Sequence, residues 1–278
     1  MTPKQAVGFE YDVRRRRAEL LAKKYPFAAE ILNFYSHILS FQRTLRASLE
    51  SATPRTANWS AQSSLAARDD LDLTAILPHF RGFVAMVEAT APAVLSEAAK
   101  ELASQRTTDW IALLQNYWEI GGRSDEQMQM IAQFFPHAFL QPYAELLGAQ
   151  SPKHPSLITT RLCPICGSKP LLGVLRQEGD GGKRYLLCSF CSQEWEFRRI
   201  HCASCGEADE KKLPVYVAEQ FPHVRVEACE TCKFYTRTVD LTKDGNAAPL
   251  VDDLAALPLT LWAAEQGFTR IHENLLGT

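Results

Sequence analysis

Cysteine is missing from most of this chain. The sequence has 278 residues and eight cysteines, and all eight fall between Cys163 and Cys232. A secreted disulfide scaffold is typically short and spreads its cysteines along the whole chain, so this distribution excludes that class. The sequence also lacks an apolar h-region followed by a small-residue cleavage site, and any run approaching about 18 apolar residues. We therefore expect neither a secretory signal nor insertion into a membrane.

An excess of charge of one sign is missing as well. The chain has 30 basic and 32 acidic side chains. Nucleic-acid binding requires a basic surface that neutralises phosphates, so no nucleic-acid partner is expected. Glycine-rich phosphate loops, nucleophile elbows and the His-Glu-x-x-His pattern are absent, and we expect a protein that is not an enzyme. Hydrophobic residues at 46% and charged residues at 22% are typical of a globular protein.

The first half of the sequence has the apolar spacing of helices. Apolar residues recur three or four positions apart, which is the pattern of one buried helix face. Phe27, Ile31 and Phe34 begin the longest of these stripes. Asp109 is a candidate N-cap, and residues 124–127 fit a capping box. The predicted helices cover residues 11–24, 26–49, 71–88, 92–102, 109–121 and 124–134, with an exposed loop over 51–64.

The pattern changes near residue 150. Residues 148–156 contain Pro152 and Pro155 and predict a linker. The length allows two domains, and we place them at residues 1–150 and 157–278. The predicted fold class is α+β: a mainly helical N-terminal domain, tandem rubredoxin-like or zinc-ribbon four-cysteine modules, and a short C-terminal helical segment.

The second half alternates short strands and turns. Strand patterns cover residues 171–175 and 184–188, which flank a glycine-rich hairpin turn, and residues 215–217 and 224–228 form a second such pair. After Asp240 the spacing becomes helical again. Asp252 or Asp253 is the expected cap of a helix that ends at Gly267, and a short amphipathic tail over 268–276 follows. This last part is expected to pack back on one of the domains.

The cysteines form four Cys-x-x-Cys pairs with none left over. Each pair on a tight turn makes a knuckle with both sulfurs on one side, and Gly167 and Gly206 supply backbone freedom after two of the knuckles. Two facing knuckles make a tetrahedral four-sulfur metal site. The first and last gaps between pairs are each one hairpin long, which favours sequential pairing. The expected ligands are Cys163, Cys166, Cys188 and Cys191 in one site, and Cys202, Cys205, Cys229 and Cys232 in the other.

Several alternatives stay open at this point. A cross-braced arrangement would join the first knuckle to the third and the second to the fourth. Buried free thiols and disulfides are less favoured than a metal site. A thiol–disulfide redox motif is also less favoured, because no thioredoxin-like βαβ unit is visible. His201 is an alternative ligand, although a strand-end histidine is the favoured interpretation. Residues 14–17, four arginines, are interpreted as a solvated helix face. Zinc and mononuclear iron both accept four thiolates, so ligand type leaves the metal open.

The residues around the knuckles resemble the formate dehydrogenase accessory protein FdhE family. The shared pattern includes Glu194-Trp195, Tyr235 and Phe41-Gln42. Longer similar stretches, in one-letter code, are CPICGSKP from Cys163, RYLLCSFC from Arg184, RRIHCASCG from Arg198, EACETC from Glu227, DDLAAL from Asp252, RAELLA from Arg17 and PFA from Pro26. The resemblance thus extends over most of the chain.

The resemblance implies a cytoplasmic maturation factor. Its expected partner is the catalytic, molybdenum-containing subunit of formate dehydrogenase, bound before export by the twin-arginine route, and self-association is possible. The resemblance also implies two metal ions in rubredoxin-like four-thiolate sites, and it favours iron over zinc. The alternatives are an iron redox protein that transfers electrons to its client, and a zinc-ribbon module that binds nucleic acid or protein.

Overall fold

The computed structural model describes residues 3–52, 71–120, 130–151, 159–178 and 181–277. These ranges contain a helical first half and a β-sheet in the second half, as the predicted α+β class requires. The helices are α1 (Pro3–Lys24), α2 (Ala29–Ala52), α3 (Leu73–Thr90), α4 (Ala93–Ala103), α5 (Thr107–Ile120), α6 (Met130–Gln150), α7 (Pro249–Ala255) and α8 (Leu257–Glu265). The strands are β1 (Pro170–Glu178), β2 (Gly181–Cys188), β3 (Glu194–Glu196), β4 (Val215–Val217), β5 (Val224–Ala228), β6 (Phe234–Asp240) and β7 (Thr269–Arg270).

The first two helices form an antiparallel pair that shares one apolar face. α1 ends before Pro26 because a residue that precedes proline is disfavoured in the helical region, and Tyr25 has φ −123° and ψ 83°. The apolar stripe of α2 is buried at Phe34, Tyr35 and Ile38, as the spacing predicted. Phe27 was predicted to belong to this stripe, and that is wrong: it lies in a 3₁₀ turn and is 48% exposed.

The starts of α3, α4 and α5 differ from the predictions by one or two residues, whereas α1 begins eight residues before its predicted start and α2 three residues after its own. α5 begins at Thr107, so Asp109 lies in its first turn instead of capping it, and its carboxylate accepts hydrogen bonds from Arg106. Pro92 is the N-cap of α4 and not a first-turn residue. Asp72 caps α3 by accepting from the backbone N–H groups of Thr74 and Ala75. The capping box at 124–127, the glycines at 121–122 and most of the loop predicted over 51–64 lie outside the described residues.

α6 extends into the segment predicted as a linker. Residues 148–150 are its last helical residues, and the described chain resumes only at residue 159. Gly148 is helical, and the end of α6 lies directly on the second knuckle at this residue. A Cβ atom at Gly148 would lie 2.9 Å from Cγ of Gln193 and 3.5 Å from Cβ of Cys191. Gly148, the first residue of the predicted linker, therefore permits close packing of α6 on the knuckle. The division into two domains stays a prediction.

The strands of both four-cysteine modules belong to one sheet. β1 and β2 form the first antiparallel hairpin and β4 and β5 the second, in the pairs that the sequence predicted. The order across the sheet is β3-β2-β1-β6-β5-β4, with β7 pairing to β6. The sequence analysis missed β3, β6 and β7. β7 lies within the predicted amphipathic tail, whose residues 268–276 contain no helix.

Parallel pairing of β1 with β6 joins the two hairpins into this sheet. Gly173 lies opposite Thr238, Val174 opposite Val239 and Leu175 opposite Asp240. The strands approach closely at Gly173, where an added Cβ atom would lie 2.3 Å from Oγ1 of Thr238. Only glycine fits this position without a shift of the Thr238 side chain.

The C-terminal helices pack back on the N-terminal ones, as predicted. α7 contacts α1 and α2, and most buried apolar residues of both halves form one continuous core, with a smaller cluster around Leu172 and Leu250. The predicted helix is interrupted at Ala256, so α7 and α8 are separate, and α7 begins at Pro249 after Ala248 instead of at Asp252 or Asp253. Gly267, with φ 79°, follows the end of α8 as expected. Among the described residues, no helix combines the length and apolarity needed to cross a bilayer.

Gly173→Ala is expected to destabilise the protein by about 1–3 kcal/mol, because the new methyl group overlaps the Thr238 side chain. Thr238→Ala in the same background should recover part of this loss, since it removes Oγ1. Gly82→Ala is the control: its Cβ meets nothing within 4 Å, and it should stabilise α3 by up to about 1 kcal/mol. Urea unfolding measures each change. Equal stability of Gly173→Ala and the wild type would contradict the close approach.

Candidate metal centres

The structure groups the eight cysteines into two sets of four. Cys163, Cys166, Cys188 and Cys191 have all four sulfurs within 4.8 Å of one another, and so do Cys202, Cys205, Cys229 and Cys232. These sets follow the sequential pairing and not the cross-braced one. The hairpins explain the grouping: β1 and β2 bring the first two knuckles together, while β5 and β6 surround the fourth knuckle opposite the third.

The sulfur spacing fits a tetrahedral metal site. The Sγ atoms lie 3.6 Å apart for Cys163 and Cys191 and 3.3 Å apart for Cys166 and Cys188. In the second cluster the distance is 3.7 Å both for Cys202 with Cys232 and for Cys205 with Cys229. A metal–sulfur bond of about 2.3 Å gives a tetrahedron with edges of about 3.8 Å. A disulfide would need about 2.0 Å, so the described geometry fits a shared cation better than cross-links.

Backbone geometry is the same in all four knuckles. The residue after the second cysteine of each pair has a positive φ: 73° at Gly167, 53° at Ser192, 84° at Gly206 and 61° at Lys233. The sequence analysis identified the two glycines and missed Ser192 and Lys233. The position directly after each Cys-x-x-Cys was the available signal. Within two knuckles, the backbone N–H groups of Phe190 and Ser204 donate to the sulfurs of Cys188 and Cys202.

The helical half covers the first cluster. All four of its cysteines are buried. The ring of Phe190, inside the second knuckle, packs against Tyr117, Trp118 and His137, with ring centroids 5.6–5.7 Å apart. His137 Nε2 lies 2.9 Å from the carbonyl oxygen of Ser189. Helices α5 and α6 therefore close this cluster off from solvent.

The second cluster lies at the surface. Cys205 is exposed and Cys232 is half-buried, while Cys202 and Cys229 are buried. Its surroundings are polar: Arg161 donates to the carbonyl oxygen of Ser204 inside the third knuckle. Four identical ligands are thus placed in two different environments, one dry and one open to water.

Burial and hydrogen bonding shift the pKa values of the cysteine thiols. It raises the pKa of Cys188 and Cys191, and it raises that of Cys202 to about 12. Hydrogen bonds from Cys163, Cys188 and Cys191 hold the pKa of Cys166 well below its usual range. A metal ion that binds either cluster must therefore displace protons from buried thiols.

Two other polar groups have structural explanations. His201 lies outside both sulfur clusters, and its ring faces Phe197 at 6.5 Å between centroids. The side chains of His223, Asp244 and Asp252 also converge, but the Arg17 guanidinium lies 2.7 Å from Asp244 and 2.6 Å from Asp252. Arg17 already supplies the positive charge there, so this group is an ion-pair cluster that joins α1 to α7.

The interpretation of residues 14–17 as a solvated face is wrong for two of them. Arg14 is buried and pairs with Glu145 on α6 at 3.1 Å, and Arg17 pairs with Asp252 as described. Arg15 pairs with Glu19, and both of these side chains are exposed. The helix spacing of the arginines was visible in the sequence, but the buried partners Glu145 and Asp252 lie more than 100 positions away, so no local pattern indicated burial.

Comparisons with known proteins match this architecture over nearly its whole length. The family model "FdhE, central domain" matches residues 162–199 and "FdhE, C-terminal domain" matches residues 200–276, so each model contains one sulfur cluster. A "Protein FdhE homolog" of Aquifex aeolicus (strain VF5) is 27% identical over 96% of this chain and 95% of its own. A homolog of Pseudomonas aeruginosa is 33% identical over 70% of this chain and 63% of its own. The crystal structure of the FdhE protein from Pseudomonas aeruginosa superposes with a TM-score of 0.69 at 26% identity, covering 96% of this chain and 95% of that one.

The fold and the clusters define a helical protein built around a fused pair of four-cysteine ribbons. The two domain models, the nearly full-length relative and the solved structure agree on one family. The chain belongs to the FdhE family.

Lys233→Gly is expected to be more stable than Lys233→Ala by about 1 kcal/mol, because glycine adopts the positive φ at this position without the Cβ penalty. Both variants lose the same lysine contacts, to Glu230 and to the Phe268 ring. Ser204 does not have a positive φ and provides the control, since Ser204→Gly should be less stable than Ser204→Ala. Urea unfolding at matched metal content gives the four values. The same order at both positions would contradict a left-handed turn at Lys233.

Proposed function

We propose that this chain is a cytoplasmic accessory protein of formate dehydrogenase that binds the catalytic subunit before export and supports its activation. It acts by binding and carries no catalytic centre of its own. The observation that carries the proposal is the pair of sulfur tetrahedra in a member of the FdhE family. A binding role also suits the surface, because the sheet has an open edge and the second cluster is accessible.

The proposal includes two metal ions, one held by each set of four cysteines. The ligands are Cys163, Cys166, Cys188 and Cys191 for the first ion, and Cys202, Cys205, Cys229 and Cys232 for the second. A bound ion supplies a cross-link between knuckles, worth roughly 10–16 kcal/mol of folding free energy in small zinc-binding modules. The family resemblance favours iron, and zinc fits the same ligands.

The two ions are expected to leave at different rates. We expect a competing chelator to remove one equivalent from the zinc-loaded full chain at least about tenfold faster than the other, because release from a buried site requires local unfolding. Cys205→Ser should abolish the fast phase and Cys166→Ser the slow one. These two cysteines hold the same position in their knuckles but differ in exposure. Release of both equivalents at one rate, or loss of the slow phase in Cys205→Ser, would contradict the assignment.

A second candidate function is electron transfer to the client through iron. The exposure of Cys205 favours it, since an exposed thiolate ligand provides a short path between a metal ion and a docked protein. Metal analysis and visible spectra of anaerobically isolated protein distinguish the two candidates. Stoichiometric zinc, with no ferric-thiolate absorption after oxidation, would contradict electron transfer and would be compatible with the binding role.

Affinity capture with the tagged full chain is expected to recover the formate dehydrogenase catalytic subunit from cells that produce it. A deletion strain should lose most formate dehydrogenase activity, and the wild-type gene should restore it. A variant with Cys163 and Cys202 both changed to Ser tests whether the metal sites are needed. Absence of any association, together with normal enzyme activity in the deletion strain, would defeat the proposal.

A further inference from the structure

Two positions beside the cysteines correspond between the sulfur clusters. The first directly follows the glycine after the opening knuckle, and it is Ser168 in the first cluster and Glu207 in the second. At both residues the carbonyl oxygen accepts a hydrogen bond, at 2.9 Å, from the N–H of the first cysteine of the same knuckle. The other position is the third residue of the opposing knuckle, where the residues are Phe190 and Thr231. The side chains at these positions therefore show what each cluster uses besides its ligands.

A backbone hydrogen bond joins the two knuckles in both clusters. In the first, the N–H of Ser189 donates to the carbonyl oxygen of Lys169 at 3.2 Å. In the second, the N–H of Glu230 donates to the carbonyl oxygen of Lys212 at 2.9 Å. The main chain thus makes an equivalent connection in each cluster, and the clusters differ in how side chains reinforce it.

The side chain in the opposing knuckle has a different partner in each cluster. In the first cluster the Phe190 ring packs on Tyr117 of α5 and His137 of α6, so the helices hold this knuckle in place. A phenyl ring carries no hydroxyl group that could bond to the facing knuckle. In the second cluster the hydroxyl group of Thr231 donates to Oε2 of Glu207 at 2.6 Å. This hydrogen bond joins the third knuckle to the fourth directly.

The Glu207 carboxylate is oriented by other groups as well. Its Oε1 atom accepts hydrogen bonds from the backbone N–H groups of Ala208 and Asp209, each at 3.0 Å. The Lys212 ammonium lies 3.7 Å from Oε2, and the glutamate side chain is only 17% exposed. A carboxylate fixed in this way loses little rotamer freedom when it accepts the Thr231 hydroxyl group. The acceptor is therefore preorganised to hold the opposing knuckle.

The hydrogen bond spans the site between its ligands. Thr231 lies between Cys229 and Cys232 in the fourth knuckle, and Glu207 follows Cys205 by two positions. The Sγ atoms of Cys205 and Cys229, one from each knuckle, lie 3.7 Å apart. A metal ion leaves such a site by losing its thiolates one after another, and a knuckle that stays close can bind the ion again before it escapes. Groups that hold ligands in place in this way contribute substantially to metal affinity.

We infer that Glu207 and Thr231 are positioning residues of the second metal site, which hold its two knuckles together and slow the release of its ion. The inference rests on the proposed two-ion function, and it makes neither residue a ligand. At the first site the packing of α5 and α6 on Phe190 performs the same task. The second site lies at the surface, and one hydroxyl–carboxylate hydrogen bond serves there in place of the helices.

The test measures the release of zinc from the loaded full chain to a competing chelator. The phase of the second site is the one that Cys205→Ser abolishes. Thr231→Val replaces the hydroxyl group by a methyl group, and it should speed this phase at least about fivefold while the other phase stays within about twofold of wild type. Thr231→Ser keeps the hydroxyl group and should restore the wild-type rate to within about twofold. Thr231 is exposed, so none of these changes disturbs the core.

Two further variants show whether the pair acts as one unit. Glu207→Ala should also speed the phase of the second site, and combining it with Thr231→Val should add little, because both changes remove the same hydrogen bond. Glu230→Ala is the matched control. Glu230 is an exposed glutamate of the same knuckle, but its carboxylate pairs with Lys233 within that knuckle and not with the third knuckle. Its release rate should stay within about twofold of wild type.

Three results would overturn the inference and leave the proposed two-ion function standing. They are a wild-type release rate in Thr231→Val, equal rates in Thr231→Ser and Thr231→Val, and an equal acceleration of both phases, which would indicate general destabilisation. Failure of the wild-type chain to take up a second equivalent of zinc would defeat the proposed pair of metal sites itself.

Discussion

Parallel pairing of β1 with β6 is the constraint on which the rest of the structure depends. Each four-cysteine ribbon alone has two open edges, and this pairing uses one edge of each. It leaves β3 at one end of the sheet and β4 at the other, and it fixes one sulfur cluster under the helices and the other away from them. At this seam the Thr238 side chain packs closely on Gly173.

Sequence reasoning succeeded where the determining interactions are local. The knuckles, both hairpins and the grouping of sulfurs follow from spacing within one strand-turn-strand unit, so Cys163 and Cys191 could be paired correctly. It failed where distant residues decide. β6 was missed although it pairs with its neighbour β5; what no local pattern indicates is its parallel pairing with β1, about 60 positions earlier in the chain. Arg14 was placed in solvent because Glu145, which neutralises it, is on another helix.

The same four ligands acquire different properties from their surroundings. Around the first cluster, aromatic rings and the end of α6 exclude water, so a metal there chiefly stabilises the joint between helices and sheet. Around the second, Cys205 reaches the surface of the protein. The proposed accessory role thus divides between two sites: one maintains the shape of the protein, and one lies where a client can contact it.

The coverage of the first cluster has a consequence for the order of assembly. Tyr117 and Trp118 on α5 and His137 on α6 pack over the second knuckle only when the helical half is in place. A metal ion therefore reaches the first cluster most easily before those helices dock, while the chain is still folding. The second cluster can take up its ion at any later time. In the proposed two-ion protein, the buried site would be filled from the metal supply during folding, and the open site from the metal supply of the mature protein.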